Sequence, residues 1–284
     1  MTEPTAAQTA LAGKVTRGGL VGTSAVVVGL SVWTALPWWD VALVSVLMVL
    51  LPSLALAQVP LVQGMELDRM PVYLGSVVTL VVLGGLALAA GSVGEGVTGV
   101  GIVPLEALPL VAWSVGLAAC GLLVLDGFRR LAVRRGWHET AILEALIPRT
   151  NGERAVFGVL SVAAGVGEEL AYRGYLILAV APVVGGVGAL VLSSFVFGVL
   201  HAYQGALGMM RTALMGGVLG VGFLLSGSLW PAIVGHALVD VVAGVLLADR
   251  FMVPGAVSGV AFIRGHSPDH HHERTHGSRS RTPG

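Results

Sequence analysis

Gly167-Glu168-Glu169-Leu170-Ala171-Tyr172-Arg173 sets two carboxylates and a guanidinium inside residues 155–181, a run that is otherwise almost wholly apolar. A charged side chain at the centre of a membrane helix costs about 2.5–3.5 kcal/mol on insertion scales. Three together require a physical reason, and the other residues that share it lie further along the chain.

Composition fixes the class. Of the 284 residues, 55% are hydrophobic and only 11% charged, and the mean hydropathy is +0.86. Soluble domains carry about 25% charged residues. The 41 glycines and 13 prolines do not indicate disorder against so apolar a background, since both are commoner in membrane helices than in soluble ones. The net charge of zero implies no overall electrostatic partner and no nucleic acid. The single cysteine, Cys120, excludes an internal disulfide and reads as a small buried hydrophobe.

A membrane span needs about 20 apolar residues. By that measure the fold is an all-α, polytopic membrane helix bundle of about eight transmembrane helices, at 19–36, 41–59, 72–90, 107–128, 155–181, 184–203, 206–226 and 229–248. Residues 1–18 read as a short disordered tail. The first span has no clean small-x-small cleavage site and a second apolar run follows it at once, so it is expected to be retained rather than removed. Trp38 and Trp39 make an interfacial turn with Pro37 and Asp40. Residues 129–154 form a basic, amphipathic linker opened by Arg129, Arg130, Arg134 and Arg135, with a short interfacial helix expected over 137–147. Pro182 is expected to end the fifth span. Residues 249–284 read as a disordered tail that carries His266 and His270-His271-His272; a solvated tail is the plain reading, and His-rich tracts also bind metal.

Lys14, Arg17, Arg69, the four arginines of 129–135, Arg211, Arg250 and Arg264 all fall on one side of such a bundle. The loops near 37–40, 91–106, 182–183 and 227–228 hold no Lys or Arg. This is the positive-inside pattern, with both termini cytoplasmic. Short loops and compact topology suggest a multi-pass protein of a bacterial inner (plasma) membrane.

Three of the spans bring ionisable groups into apolar surroundings. Glu169 and Arg173 stand four apart, face the same way and can neutralise each other. Glu168 lies about 100° round the helix from Glu169, without such a partner. The sixth span ends in Phe197-x-x-x-His201, and the eighth holds His236-x-x-x-Asp240 on one face. Taken singly, His201 reads as an interfacial side chain, Glu169–Arg173 as a structural bridge and His236–Asp240 as a helix-stabilising contact. Jointly they point to a shared interior site, because intramembrane ionisable groups normally face a common cavity. A carboxylate beside a histidine can take a proton from water. A second histidine can donate to a developing oxyanion, or coordinate a metal that does the same work. These parts suit hydrolysis of an acyl bond by activated water. No serine is a convincing nucleophile, and neither an HExxH zinc motif nor a GxGD pair is present.

Glu168-Glu169-x-x-x-Arg173, Phe197-x-x-x-His201 and His236-x-x-x-Asp240, in this order on successive helices, resemble the CPBP family of intramembrane proteases. That family includes the type II CAAX prenyl endopeptidases and bacterial relatives linked to bacteriocin immunity. The resemblance covers residues 155–248 as the catalytic helix core, with 19–128 as preceding membrane helices. It implies Glu168 as the general base, assisted by His201; Glu169 and Arg173 as an ordering pair; and His236 and Asp240 facing the scissile carbonyl. Relatives often carry Asn where this chain has Asp240, and an ionised Asp accepts hydrogen bonds but cannot donate one. Asp240 is therefore protonated, orients His236, or helps to hold a divalent metal. If the site is metal-assisted, Glu168, His201, His236 and Asp240 would hold Zn2+. The implied partners are the lipid bilayer and a membrane-embedded or lipophilic peptide or protein. The alternatives are a non-catalytic scaffold or immunity factor of the same fold, or a proton-coupled transporter. No internal repeat relates 1–128 to 155–248, which speaks against an inverted-repeat transporter.

Overall fold

The computed structural model describes residues 4–62, 65 and 67–247. Among them there is no strand; the chain is a bundle of long helices. They are α1 (Ala6–Trp33), α2 (Trp38–Val62), α3 (Arg69–Gly91), α4 (Ala107–Arg135), the short α5 (Ala141–Ala145), α6 (Asn151–Leu200), α7 (Gly205–Ser226) and α8 (Trp230–Leu246). Helices α1–α4, α6 and the Ala202–Ser226 segment containing α7 are long and apolar enough to cross a membrane, and α8 is a shorter apolar helix. Their outward faces carry exposed Val, Leu and Phe, such as Val21, Leu86, Val187, Phe195 and Leu225, while Glu169, Arg173 and His236 are buried. An apolar exterior around a charged interior is the arrangement that lipid requires. This is a multi-pass membrane protein.

Helix α6 holds two of the expected spans. Its 50 residues would extend about 75 Å if straight, more than twice the hydrocarbon thickness. It folds back instead. The hydroxyl of Ser193 donates to the backbone carbonyl of Tyr172 at 2.7 Å, and the rings of Tyr172 and Phe197 stand 5.5 Å apart. The turn is not at Pro182, around which the chain stays helical, but at Gly185, where φ is 75° and ψ 159°. Proline lacks only one N–H and keeps a helical φ, whereas this reversal needs a positive φ that glycine adopts without a Cβ clash.

The N-terminal tail is also corrected. Helix α1 starts at Ala6, where a disordered tail is expected, because Thr5 and Gln8 form a capping box. Gln8 N–H donates to Thr5 Oγ1 at 3.3 Å and Thr5 N–H to Gln8 Oε1 at 2.8 Å. The tail 249–284, with its histidines, Arg250 and Arg264, lies outside the described residues.

Loops meet at the two ends as the alternation of spans requires. At one end Leu229 N–H donates to Gly101 O at 2.8 Å, Ser228 Oγ to Val103 O at 2.6 Å, and Tyr175 Oη to Asp40 Oδ1 at 2.7 Å. At the other end Tyr73 Oη donates to Leu146 O at 2.5 Å, Thr140 Oγ1 to Tyr203 O at 2.9 Å, and Arg211 pairs with Glu139 at 2.7 Å. These last bonds explain why the helix expected over 137–147 shrinks to α5. Glu139 and Thr140 tether the segment across the ends of the helices, and its Leu143, Leu146 and Ile147 line the cavity described below.

Candidate active site

The acidic stretch sits where α6 changes pitch. From Glu169 to Ile177 the helix is π-wound, and all nine residues are buried. Such wide turns free backbone groups and cluster at functional sites; here Ser193 takes up the Tyr172 carbonyl. Close approach just before the wide turn depends on Gly167: a Cβ there would run into the Leu80 carbonyl of α3.

Within the wide turn, Arg173 Nη1 donates to Glu169 Oε1 at 2.8 Å, both side chains being fully buried. The guanidinium carbon lies 4.1 Å above the centre of the Phe197 ring, a cation–π arrangement. Its Nη2 faces α7, where a Cβ on residue 216 would come within 2.6 Å, so only a glycine fits without displacing it. Three of the glycines of α7 therefore serve close packing: Gly216 against Arg173, Gly220 against Leu190 and Gly222 against Leu117, while Gly217 has room.

Glu169 is shared. Its Oε1 also lies 2.8 Å from His236 Nδ1. A carboxylate already paired with arginine accepts hydrogen bonds, so Nδ1 carries the proton and Nε2 faces the other way. There Nε2 stands 3.7 Å from both Glu168 Oε2 and Asp240 Oδ2. The two adjacent glutamates thus part: Glu169 is walled in behind His236, and Glu168 lies in front of it, with 17% of its side chain exposed.

His201 ends the second limb of α6. Its Nδ1 is 2.9 Å from Phe197 O, an oxygen that can only accept, so Nδ1–H donates and Nε2 is again the free nitrogen. The rings of His201 and His236 flank Phe197 at 4.9 and 6.2 Å. Glu168, His201, His236 and Asp240 line one cavity of about 910 Å³. Its polar wall comes from α6, α7 and α8. Much of the rest is apolar and comes from α2, α3 and the α5 segment, including Leu54, Leu83 and Ile147. Tyr172, Tyr203 and Arg211 also line it, and sequence reasoning passed over all three; the four-residue step from Glu168 to Tyr172 was the available signal.

The four side chains named for zinc share this cavity. Among the described residues, however, no three His, Cys, Asp or Glu side chains converge as a metal-binding group. The donor set in this arrangement does not fit a closed zinc site.

Residues 150–242 match the family of type II CAAX prenyl endopeptidases described as Rce1-like. The matched segment contains Glu168, Glu169, Arg173, His201, His236 and Asp240, and its likeness supports the resemblance of this part of the chain to the CPBP/CAAX intramembrane proteases. Neither a curated protein nor a solved structure matches the chain.

Proposed function

We propose that the protein is an intramembrane endopeptidase that hydrolyses a peptide bond of a membrane-embedded or lipophilic substrate with water activated by Glu168. The observation that carries this reading is the placement of His236. Glu169 fixes its ring from behind, and its Nε2 faces two cavity carboxylates at 3.7 Å.

In this reading water enters beside Glu168, which takes one of its protons as the oxygen attacks the scissile carbonyl carbon. His201, with Nδ1–H held by Phe197 O, offers Nε2 as a second acceptor that orients the water. The carbon–nitrogen bond then breaks, and the proton held by Glu168 passes to the leaving amine. Glu169 and Arg173 hold His236 and touch no substrate. The apolar walls from α2, α3 and α5 suit an apolar substrate segment. The basic end, with both termini, faces the cytoplasm of a bacterial inner membrane.

The test is cleavage of a membrane-peptide library by purified protein in detergent, with wild type beside Glu168→Gln and with and without chelator. Loss of cleavage in the variant, with its thermal melt unchanged, supports the glutamate mechanism. Equal cleavage by both, or none by either, overturns it. Loss on chelation, restored by Zn2+, would bring a metal into the site.

A further inference from the structure

We propose that the hydroxyl of Tyr172 is the hydrogen-bond donor to the oxyanion that forms on the scissile carbonyl. The inference rests on the protease reading above and goes beyond it by assigning a role that the sequence motif leaves open in this chain.

The polar wall of the cavity is short of free donors: even Arg211, which lines it, gives Nη1 to Glu139 at 2.7 Å and Nη2 to Gln204 at 2.9 Å. Glu168 as base and Asp240 as a carboxylate accept only. Both histidines have their Nδ1–H engaged, His201 by the Phe197 carbonyl at 2.9 Å and His236 by Glu169 at 2.8 Å. Neutral rings therefore present a lone pair at Nε2. A doubly protonated His236 would direct its Nε2–H at Glu168 and Asp240, both 3.7 Å away. Arg173 is fully buried against Glu169 and Phe197 and does not line the cavity. Hydrolysis of a peptide bond nonetheless puts a negative charge on oxygen in the transition state, and a donor aimed at that charge is usually the largest single catalytic contribution.

Tyr172 supplies one. It lines the cavity with Glu168, it is 1% exposed, and its hydroxyl has no hydrogen-bond partner within the protein. A buried hydroxyl normally has a partner, and leaving one without is costly. The residue is also held in place. Its carbonyl accepts from Ser193 at 2.7 Å and its ring packs on Phe197 at 5.5 Å. It follows Glu168 by four residues through the wide turn, so base and donor come from one segment. Tyr203 is the competing phenol: it also lines the cavity, but at the His201 end, and it accepts from Gln204 Nε2 at 3.0 Å. In the proposed step Tyr172 keeps its proton: the water's proton goes to Glu168 and then to the leaving nitrogen, and the phenol only hydrogen-bonds the oxyanion.

The experiment compares wild type, Tyr172→Phe, Tyr203→Phe and Glu168→Gln on a peptide that wild type cleaves, together with that peptide's phosphinate analogue, a tetrahedral anion. Tyr172→Phe is expected to lower kcat about 10²-fold with KM little changed, and to weaken phosphinate binding by a similar factor while substrate binding is kept. Unchanged kcat in Tyr172→Phe, or a loss that falls on Tyr203→Phe instead, overturns the assignment while an inactive Glu168→Gln leaves the protease reading standing. A kcat loss with phosphinate binding intact makes Tyr172 structural and also overturns it. If wild type cleaves no peptide, the protease reading fails, and the role of Tyr172 with it.

Discussion

His236 donates its Nδ1 proton to Glu169, whose receiving oxygen also holds Arg173, both at 2.8 Å. One buried carboxylate oxygen thus ties the first limb of α6 to α8. Replacing Glu169 by Gln leaves the Arg173 charge buried without its counter-ion, and breaking a buried pair from one side costs about 3–5 kcal/mol. The expected outcome is a large drop in melting temperature in detergent. The double variant Glu169→Gln, Arg173→Met should recover much of that stability but not activity, because His236 loses its anchor.

Glu168→Gln should behave in the opposite way. The side chain is at the cavity wall and is not part of that buried pair, so the melt should hold within about 1 kcal/mol, as for substitutions away from packed features. Cleavage should fall by about 10²–10⁴-fold, the usual worth of a positioned base. A melting curve and a single-turnover assay on the same preparation check both statements.

Gly216→Ala places a methyl group 2.6 Å from Arg173 Nη2. Crowding of this kind typically costs about 1–3 kcal/mol. Since the guanidinium can move only by leaving Glu169 or Phe197, cleavage should fall with stability. Gly217→Ala, with its nearest contact 3.8 Å away, is the control and should do neither.

Asp240→Asn adds an amide donor four residues after His236. Cleavage should persist. The loss caused by Tyr172→Phe should shrink from about 100-fold to less than about 10-fold when Asp240→Asn is also present, since two donors to one oxyanion are not additive. The four kcat values of the double-mutant cycle decide it.

Arg211→Met leaves the Glu139 carboxylate buried without its partner at 2.7 Å. The segment carrying α5 should then come loose from the cavity. Hydrogen exchange of amides 137–147 should speed up, while amides in the second limb of α6 should not change.

Much of this arrangement was legible because it is local. Apolar runs reveal membrane helices one at a time, and a four-residue step brings Glu169 and Arg173 together even through a wide turn. The start of α1 was legible too, in Thr5-x-x-Gln8, though such a short signal is easily passed over in a polar tail. The turn in α6 was not. Pro182 is the stronger breaker by propensity, and only the tertiary fold-back reveals that Gly185 is where a positive φ is needed. Likewise nothing in residues 51–83 marks them as cavity walls. Apolar side chains facing a cavity and those facing lipid obey the same composition, and only the packed structure tells them apart.

The kinked 50-residue run of α6 has one further consequence. Both limbs of this hairpin present chemistry to the same cavity, Glu168 and Tyr172 from one and His201 from the other, so the distance between base and histidine is set by how tightly the hairpin closes at Gly185. The hinge lies at the Lys- and Arg-free end of the bundle, far along the chain from every reacting group. An insertion or a bulkier residue there would act like a shift in the pivot of a pair of tongs, changing the span of the jaws without touching them.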